Sequence, residues 1–258
     1  MDKPVITIKI GGKMATNQEL LSDFITDVGR LSKTAHFVII HGGGKEVSAF
    51  SEKLLGAPPV FKDGIRMTTP EEMEIVEMVL AGKINKGLVR LFQAHGIKAC
   101  GISGADGGVF TGKSIGEPES QRTGEITDVK TGLIDTLLEK GYTPLVSSTT
   151  MDNTGAALNI NADQAALALA AALSSRALIF LSDIPGVMKN NEVIPVLTVE
   201  SAQQEIKNGT VSGGMIPKVT SSIHALDAGV KKIIIGEYDR EGSLVDLLDG
   251  REGTAITH

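Results

Sequence analysis

Short apolar runs recur along this chain at intervals too long for hairpins. VITIKI (5–10), HFVII (36–40), TPLVSS (143–148), ALIFLS (177–182) and KKIIIG (231–236) are β-rich and show little alternation of polar and apolar positions. Continuous apolar runs suit strands covered on both faces, as in a parallel sheet. Helical patterns lie between them. The clearest starts at Thr69, where T-P-E-E offers an N-cap, a proline at the first helical position and Glu72 for a capping box. Met73, Val76, Val79 and Leu80, then Leu88 and Phe92, keep helical spacing up to a stop at Gly96. Asn161 predicts the cap of a second helix, with Gln164 at its capping-box position, and Met215, Val219 and Ile223 predict a third over 213–226. VFKDGIRM (60–67) predicts a hairpin about Asp-Gly, and the breaker-rich stretch 111–128 predicts a surface loop or exposed hairpin. Strands alternating with helices imply a doubly wound α/β sandwich, with ligands at the carboxyl ends of the strands.

Composition narrows the function classes. With 258 residues, 41% hydrophobic and 22% charged, the chain can bury a large core as an ordinary globular protein. A formal charge of −6 opposes nucleic-acid binding, which calls for a basic stripe. Any bound anion must then be met by local positive groups. The one cysteine, Cys100, allows no internal disulfide and favours an intracellular setting; in IKACGIS it reads as a small core residue. MDKPVITIKI lacks the pattern of a signal peptide, and the apolar run AALALAAAL (165–173) is too short to span a bilayer. A cytoplasmic protein with no membrane partner is the expectation.

Several motifs carry candidate chemistry. Lys9 puts an ammonium near the end of an apolar strand, directly before Ile10, Gly11 and Gly12. FVIIHGGGKEV reads as strand, glycine turn and helix. Three successive glycines let backbone N–H groups approach an anion, whereas a tight turn alone needs one. His41 is either a structural cap or a chemical group. Neither glycine cluster fits G-x-x-x-x-G-K-[ST] or G-x-G-x-x-G. GKSIG (112–116) matches G-x-S-x-G around Ser114, but the following EPESQRTGE has no apolar helical face, so the hydrolase context fails. Asn159, Asn161 and Asp163 place polar groups at alternating positions; they could bind a ligand or orient lysines, and the helix dipole alone also suits Asp163. Lys218 stands near a helix start, where a cation is disfavoured. Asp183 follows a strand and precedes Pro185-Gly186, which suits a turn or a ligand contact.

Taken in order, KIGG, HGGGKEV, DGIRMT, GISGADGG, NINADQAA, LSDIPGV and GGMIPKV resemble the amino acid kinase family from residue 9 to about 219. The resemblance implies a three-layer αβα sandwich with a mainly parallel central sheet. It implies one domain over 1–258, with an N-terminal lobe (about 1–173) for an acyl amino acid and a C-terminal lobe (about 174–258) for ATP. The reaction implied is ATP-dependent phosphorylation of the side-chain carboxylate of N-acetyl-L-glutamate, early in arginine biosynthesis, with Mg²⁺ arriving on ATP and no resident metal. Alternatives are a sibling kinase for glutamate or carrier-bound aminoadipate, and a non-catalytic sensor on the same fold. Carried over by position, Lys9 and Lys218 would stabilise the moving phosphoryl group and Asp163 would organise them. Gly43, Gly44, Arg66 and Asn159 would hold the acyl amino acid, with Gly11 and Gly12 near the phosphates. The nucleotide would lie against Asp183, Ile184, Pro185, Gly186, Val187 and Met188, and near Thr210, Val211 and Ser212. RMTT stands where the family pattern runs closer to R-V-T-D. The short N-terminus carries the expectation of an arginine-insensitive homodimer, with the helix after Thr69 as a candidate interface.

Overall fold

The computed structural model describes residues 3–11, 14, 17–62, 64–211, 213 and 215–258, without the side chain at 217. Gly12, Asp63 and Ser212, all singled out by the sequence, lie outside the described residues. In chain order come β1 (Val5–Ile10), α1 (Gln18–Leu31), β2 (His36–His41), α2 (Gly44–Leu55), β3 (Phe61–Lys62), β4 (Ile65–Arg66) and α3 (Pro70–Glu77). Next are α4 (Asn85–Ala94), β5 (Ala99–Ser103), β6 (Phe110–Ser114), β7 (Thr123–Val129), α5 (Gly132–Glu139), β8 (Thr143–Ser147), β9 (Thr149–Met151) and β10 (Ala157–Ile160). The last third holds α6 (Ala162–Ala172), β11 (Ala177–Leu181), β12 (Met188–Lys189), β13 (Glu192–Val193), β14 (Val196–Thr198), α7 (Val199–Lys207), α8 (Met215–Asp227), β15 (Ile233–Gly236), α9 (Ser243–Asp249) and β16 (Thr254–Thr257). The result is an α/β fold with a mainly parallel central sheet, as the apolar runs predict.

The chain divides into two compact units, Met1–Val38 with Ala166–His258, and Ile39–Ala165. In the first, β1 runs parallel to β11 in a register from Ile6–Ala177 to Lys9–Phe180, which draws the N-terminal strand to the C-terminal part of the chain. β11 pairs in parallel with β15, and β16 runs antiparallel beside β15. Ile8, Leu178, Ile179, Phe180, Ile233 and Ile235 are wholly buried. Each such side chain contributes about 1.5–3 kcal/mol. The buried Thr7 and Ser175 hydroxyls satisfy each other at 2.8 Å.

In the second unit β2, β8 and β5 run parallel, and β6, β7, β9 and β10 close a small barrel. Of the two alternatives for 111–128 the structure has the hairpin, antiparallel β6 and β7 with a built interior. Its core side is partly glycine: a Cβ on Gly112 would lie 3.1 Å from Leu158 Cδ1, and one on Gly124 would lie 3.0 Å from the same atom. The helix predicted from Thr69 to Gly96 is continuous but not uniform, because a π-helical segment, Met78–Ile84, joins α3 to α4. Val47, Met73, Ile75, Val76, Val79 and Leu80 form the core beneath it. Among the described residues no helix is long and apolar enough to cross a membrane.

Candidate active site

Lys9 is the half-buried member of an otherwise buried strand. Its register partner is Phe180, and opposed residues on neighbouring strands project to the same face. Lys218, in the first turn of α8, holds Nζ 5.1 Å from the Phe180 ring centroid, a cation–π distance. One phenyl ring therefore marks a face that receives two ammonium groups from opposite ends of the chain. Gly11 makes room for the first: a Cβ there would lie 2.6 Å from Lys9 Nζ. Phe180 was invisible as a site residue, being one aromatic in an aliphatic run.

After β11, Asp183, Ile184, Pro185 and Met188 are exposed, whereas Gly186 and Val187 turn inward. The Val187 N–H donates to Thr254 Oγ1 at 2.8 Å, and a Cβ on Gly186 would lie 2.7 Å from Thr254 Oγ1 and from Val193 Cγ1. Four of these six residues thus present surface while two anchor the turn. Thr210 faces Glu205, whose carboxyl is held below the usual carboxylate range first by the Lys189 ammonium and then by the Thr210 hydroxyl. Lys189 Nζ lies 2.6 Å from Glu205 Oε1. Val211 is buried and its N–H donates to Glu205 O at 3.0 Å.

In the second unit β2 delivers His41 to the glycine turn. Its imidazole is wholly enclosed, and burial pushes its pKa down to about 4. A neutral ring with hydrogen on Nδ1 donates to Gly42 O at 3.1 Å and accepts from Asn85 Nδ2 on Nε2 at 3.0 Å. His41 is therefore a structural group. The glycines divide their duties. A Cβ on Gly43 would lie 2.1 Å from Ile84 Cδ1 and 2.9 Å from Leu80 Cδ2, so packing against the π segment requires it. A Cβ on Gly44 would meet nothing within 4 Å, and no side chain caps α2, so the packing does not require this glycine.

Arg66 is 8% exposed and stands over the Phe61 ring, with Cζ 4.9 Å from the centroid. Nη1 donates to Glu72 Oε1 at 2.7 Å, and Nη2 donates to Gly44 O at 2.9 Å and to Ser48 Oγ at 2.5 Å. Glu72 consequently makes only half of its expected capping box. Its N–H donates to Thr69 Oγ1 at 3.2 Å, but its carboxylate turns to Arg66, a stronger charge-assisted partner than a backbone N–H. Asn159 Nδ2 donates to Thr68 Oγ1 at 2.9 Å; the Thr68 N–H donates to Thr123 Oγ1 at 2.9 Å, and that hydroxyl donates to Arg66 O at 2.5 Å. Gly44, Arg66 and Asn159 are thereby joined in one network with Ser48, Thr68 and Thr123, which the sequence did not flag, and with Glu72, which it flagged only for a capping box. For Thr68 the only available signal was the first threonine of RMTT, directly before the N-cap Thr69.

Asn161 caps α6, its Oδ1 accepting from the Asp163 N–H at 2.8 Å and from the Gln164 N–H at 3.4 Å. Asp163 lies in the first turn of that helix. Ser114 ends β6 with its hydroxyl donating to Gln121 O at 2.9 Å, and no helix follows it. Lys9 and Lys218 belong to the first unit, and Gly43, Gly44, Arg66, Asn159 and Asp163 to the second. No group of three or more His, Cys, Asp or Glu side chains among the described residues could hold a metal ion.

The first unit thus brings ammonium groups to one sheet face, and the second sets a glycine turn beside a buried arginine. The sequence pattern of the Amino acid kinase family matches residues 4–237, and the chain belongs to that family. It is 42% identical over 259 residues to the acetylglutamate kinase of Synechococcus sp. (strain JA-2-3B'a(2-13)), covering 98% of this chain and 83% of the relative. The chloroplastic acetylglutamate kinase of Arabidopsis thaliana is 38% identical over 262 residues, covering 98% and 75%. Among solved structures, smu.665 from Streptococcus mutans UA159 superposes with a TM-score of 0.84 at 27% identity, covering 98% of both chains.

Proposed function

We propose that this chain transfers the γ-phosphoryl group of ATP to the side-chain carboxylate of N-acetyl-L-glutamate, giving N-acetyl-L-glutamyl 5-phosphate and ADP in arginine biosynthesis. The observation that carries the reading is the near full-length kinship with acetylglutamate kinases. A carboxylate with an ordinary pKa of about 4.3 is ionised at neutral pH, so attack needs no general base. One carboxylate oxygen forms a bond to the γ-phosphorus while the bond to the β,γ-bridging oxygen breaks, and ADP leaves with that electron pair. Charge spreads over the moving group, and catalysis is mostly positioning and electrostatic stabilisation.

Lys9 and Lys218 meet that charge, and Asp163 orients them. Gly11 and Gly12 lie along the phosphates. Arg66, Asn159 and the N–H groups of Gly43 and Gly44 hold the acyl amino acid. The nucleotide rests on the surface offered by Asp183, Ile184, Pro185 and Met188, in a turn anchored by Gly186 and Val187, and near Thr210, Val211 and Ser212. The acyl amino acid belongs to the N-terminal lobe and ATP to the C-terminal one. Mg²⁺ would arrive with the nucleotide, since it readily takes phosphate oxygens and water in place of an all-protein cage, and it would supply charge neutralisation there. A cytoplasmic homodimer, with the helix after Thr69 as its interface, completes the reading.

The test is MgATP-dependent ADP release with N-acetylglutamate and, in parallel, with glutamate, trapping the acyl phosphate with hydroxylamine. Turnover with the acetylated substrate alone is expected. Turnover with glutamate alone would move the assignment to a sibling kinase.

A further inference from the structure

Glu72 has no part in the transfer chemistry, yet its carboxylate is buried and committed. Oε1 accepts from Arg66 Nη1 at 2.7 Å and from Ser51 Oγ at 3.1 Å. On the other side of the guanidinium, Nη2 donates to Gly44 O and Ser48 Oγ. A guanidinium has five donors, so these bonds leave the Nε–H and one Nη1–H for another acceptor. An arginine held from both sides loses its rotamer freedom before a ligand arrives, and the ordering cost of binding falls accordingly. The same clamp ties β4, which carries Arg66, to Gly44, the first residue of α2.

We propose that Glu72 is a positioning residue for the acyl amino acid. It fixes Arg66 so that the remaining guanidinium donors and the Gly43–Gly44 backbone are set in register for the substrate carboxylate. The identity of that substrate rests on the proposed function; the clamp itself does not. Glu72 could have served only the start of α3, as its sequence position suggests, but its carboxylate bonds away from that helix end and towards Arg66.

Wild type, Glu72→Gln and Glu72→Ala are compared by steady-state kinetics, with N-acetylglutamate and ATP varied separately. Backbone deuterium exchange of 43–48 and 64–67 is followed in the same proteins without ligand. Glu72→Ala is expected to raise KM for the acyl amino acid about tenfold or more while leaving KM for ATP within about threefold. Glu72→Gln, which keeps an oxygen acceptor, should recover most of that loss, and exchange in both segments should quicken in Glu72→Ala. If the alanine variant does not fold, Glu72→Asp, with its carboxylate withdrawn by one methylene, should show the same selective rise. A parallel rise in both KM values, an unchanged KM for the acyl amino acid, or no rescue by glutamine would overturn the proposal. Should wild type not turn over N-acetylglutamate, the substrate reading falls, and unchanged exchange in 43–48 and 64–67 is then the result that removes the clamp.

Discussion

The His41 imidazole, hydrogen-bonded at both ring nitrogens, stays neutral down to about pH 4 in the folded chain. In the unfolded chain it titrates near its ordinary value of 6.5. Between those two values the unfolded state holds the extra proton, so stability falls as pH drops through that window and is complete above it. The stability lost amounts to about 3 kcal/mol if the whole shift is realised. We predict that urea unfolding of His41→Gln will depend less steeply on pH from 6.5 to 4 than that of wild type, by close to one proton. Equal slopes would show that the ring is not the group responsible. Residues of this kind are half legible in a sequence. The glycines beside His41 announced a turn, but its enclosure and its bond from Asn85 exist only in the folded chain. Lys9 was legible as a misplaced charge; Phe180 was not, because register alone makes it the partner of Lys9.

At the scale of elements, α9 has no cap of its own: Gly242 occupies the N-cap position and no side chain there bonds back. Asp27 on α1 supplies it from a distance. Its fully buried carboxylate accepts from the Gly242 N–H at 2.8 Å, the Leu244 N–H at 3.4 Å and the Tyr238 hydroxyl at 2.9 Å, with Arg30 completing the group. Burial, then the charge of Asp27, raises the Tyr238 hydroxyl well beyond the ordinary phenol range. Removing the carboxylate strands several buried donors, and we predict that Asp27→Ala costs about 3–5 kcal/mol in urea unfolding, against about 1 kcal/mol for Tyr238→Phe. Comparable losses in the two variants would refute the capping role. Such long-range caps leave no local signature, whereas the apolar strands announce themselves. The β6–β7 hairpin was legible only as one alternative to a loop, for a different reason. Gly112 and Gly124 occupy the barrel side, so the alternation that reveals a half-buried strand was erased. The π segment hid because Val76, Val79 and Leu80 keep helical spacing across its start, and one extra residue per turn is absorbed without a break.

For the molecule as a whole, the lysine pair depends on bringing β1 and α8 to the same sheet face. Contacts made only as charge develops change turnover more than binding. We predict that Lys218→Ala lowers kcat by about 10²–10³ while shifting equilibrium ATP binding much less. Equal losses in turnover and ATP affinity would assign Lys218 to the ground state instead. The motifs made both lysines legible and left their meeting place unread, because the β1–β11 pairing is a property of topology. That pairing also makes the first unit discontinuous, with the whole of Ile39–Ala165 inserted between its parts. The consequence is one of timing. β11 is synthesised roughly 170 residues after β1, a wait of about 10–30 s at ribosomal speed. The inserted unit has every one of its strands before then, while VITIKI must wait for β11 to cover one of its two edges. A lone lysine inside that waiting strand is the kind of gatekeeper that keeps apolar segments on neighbouring nascent chains from pairing with each other.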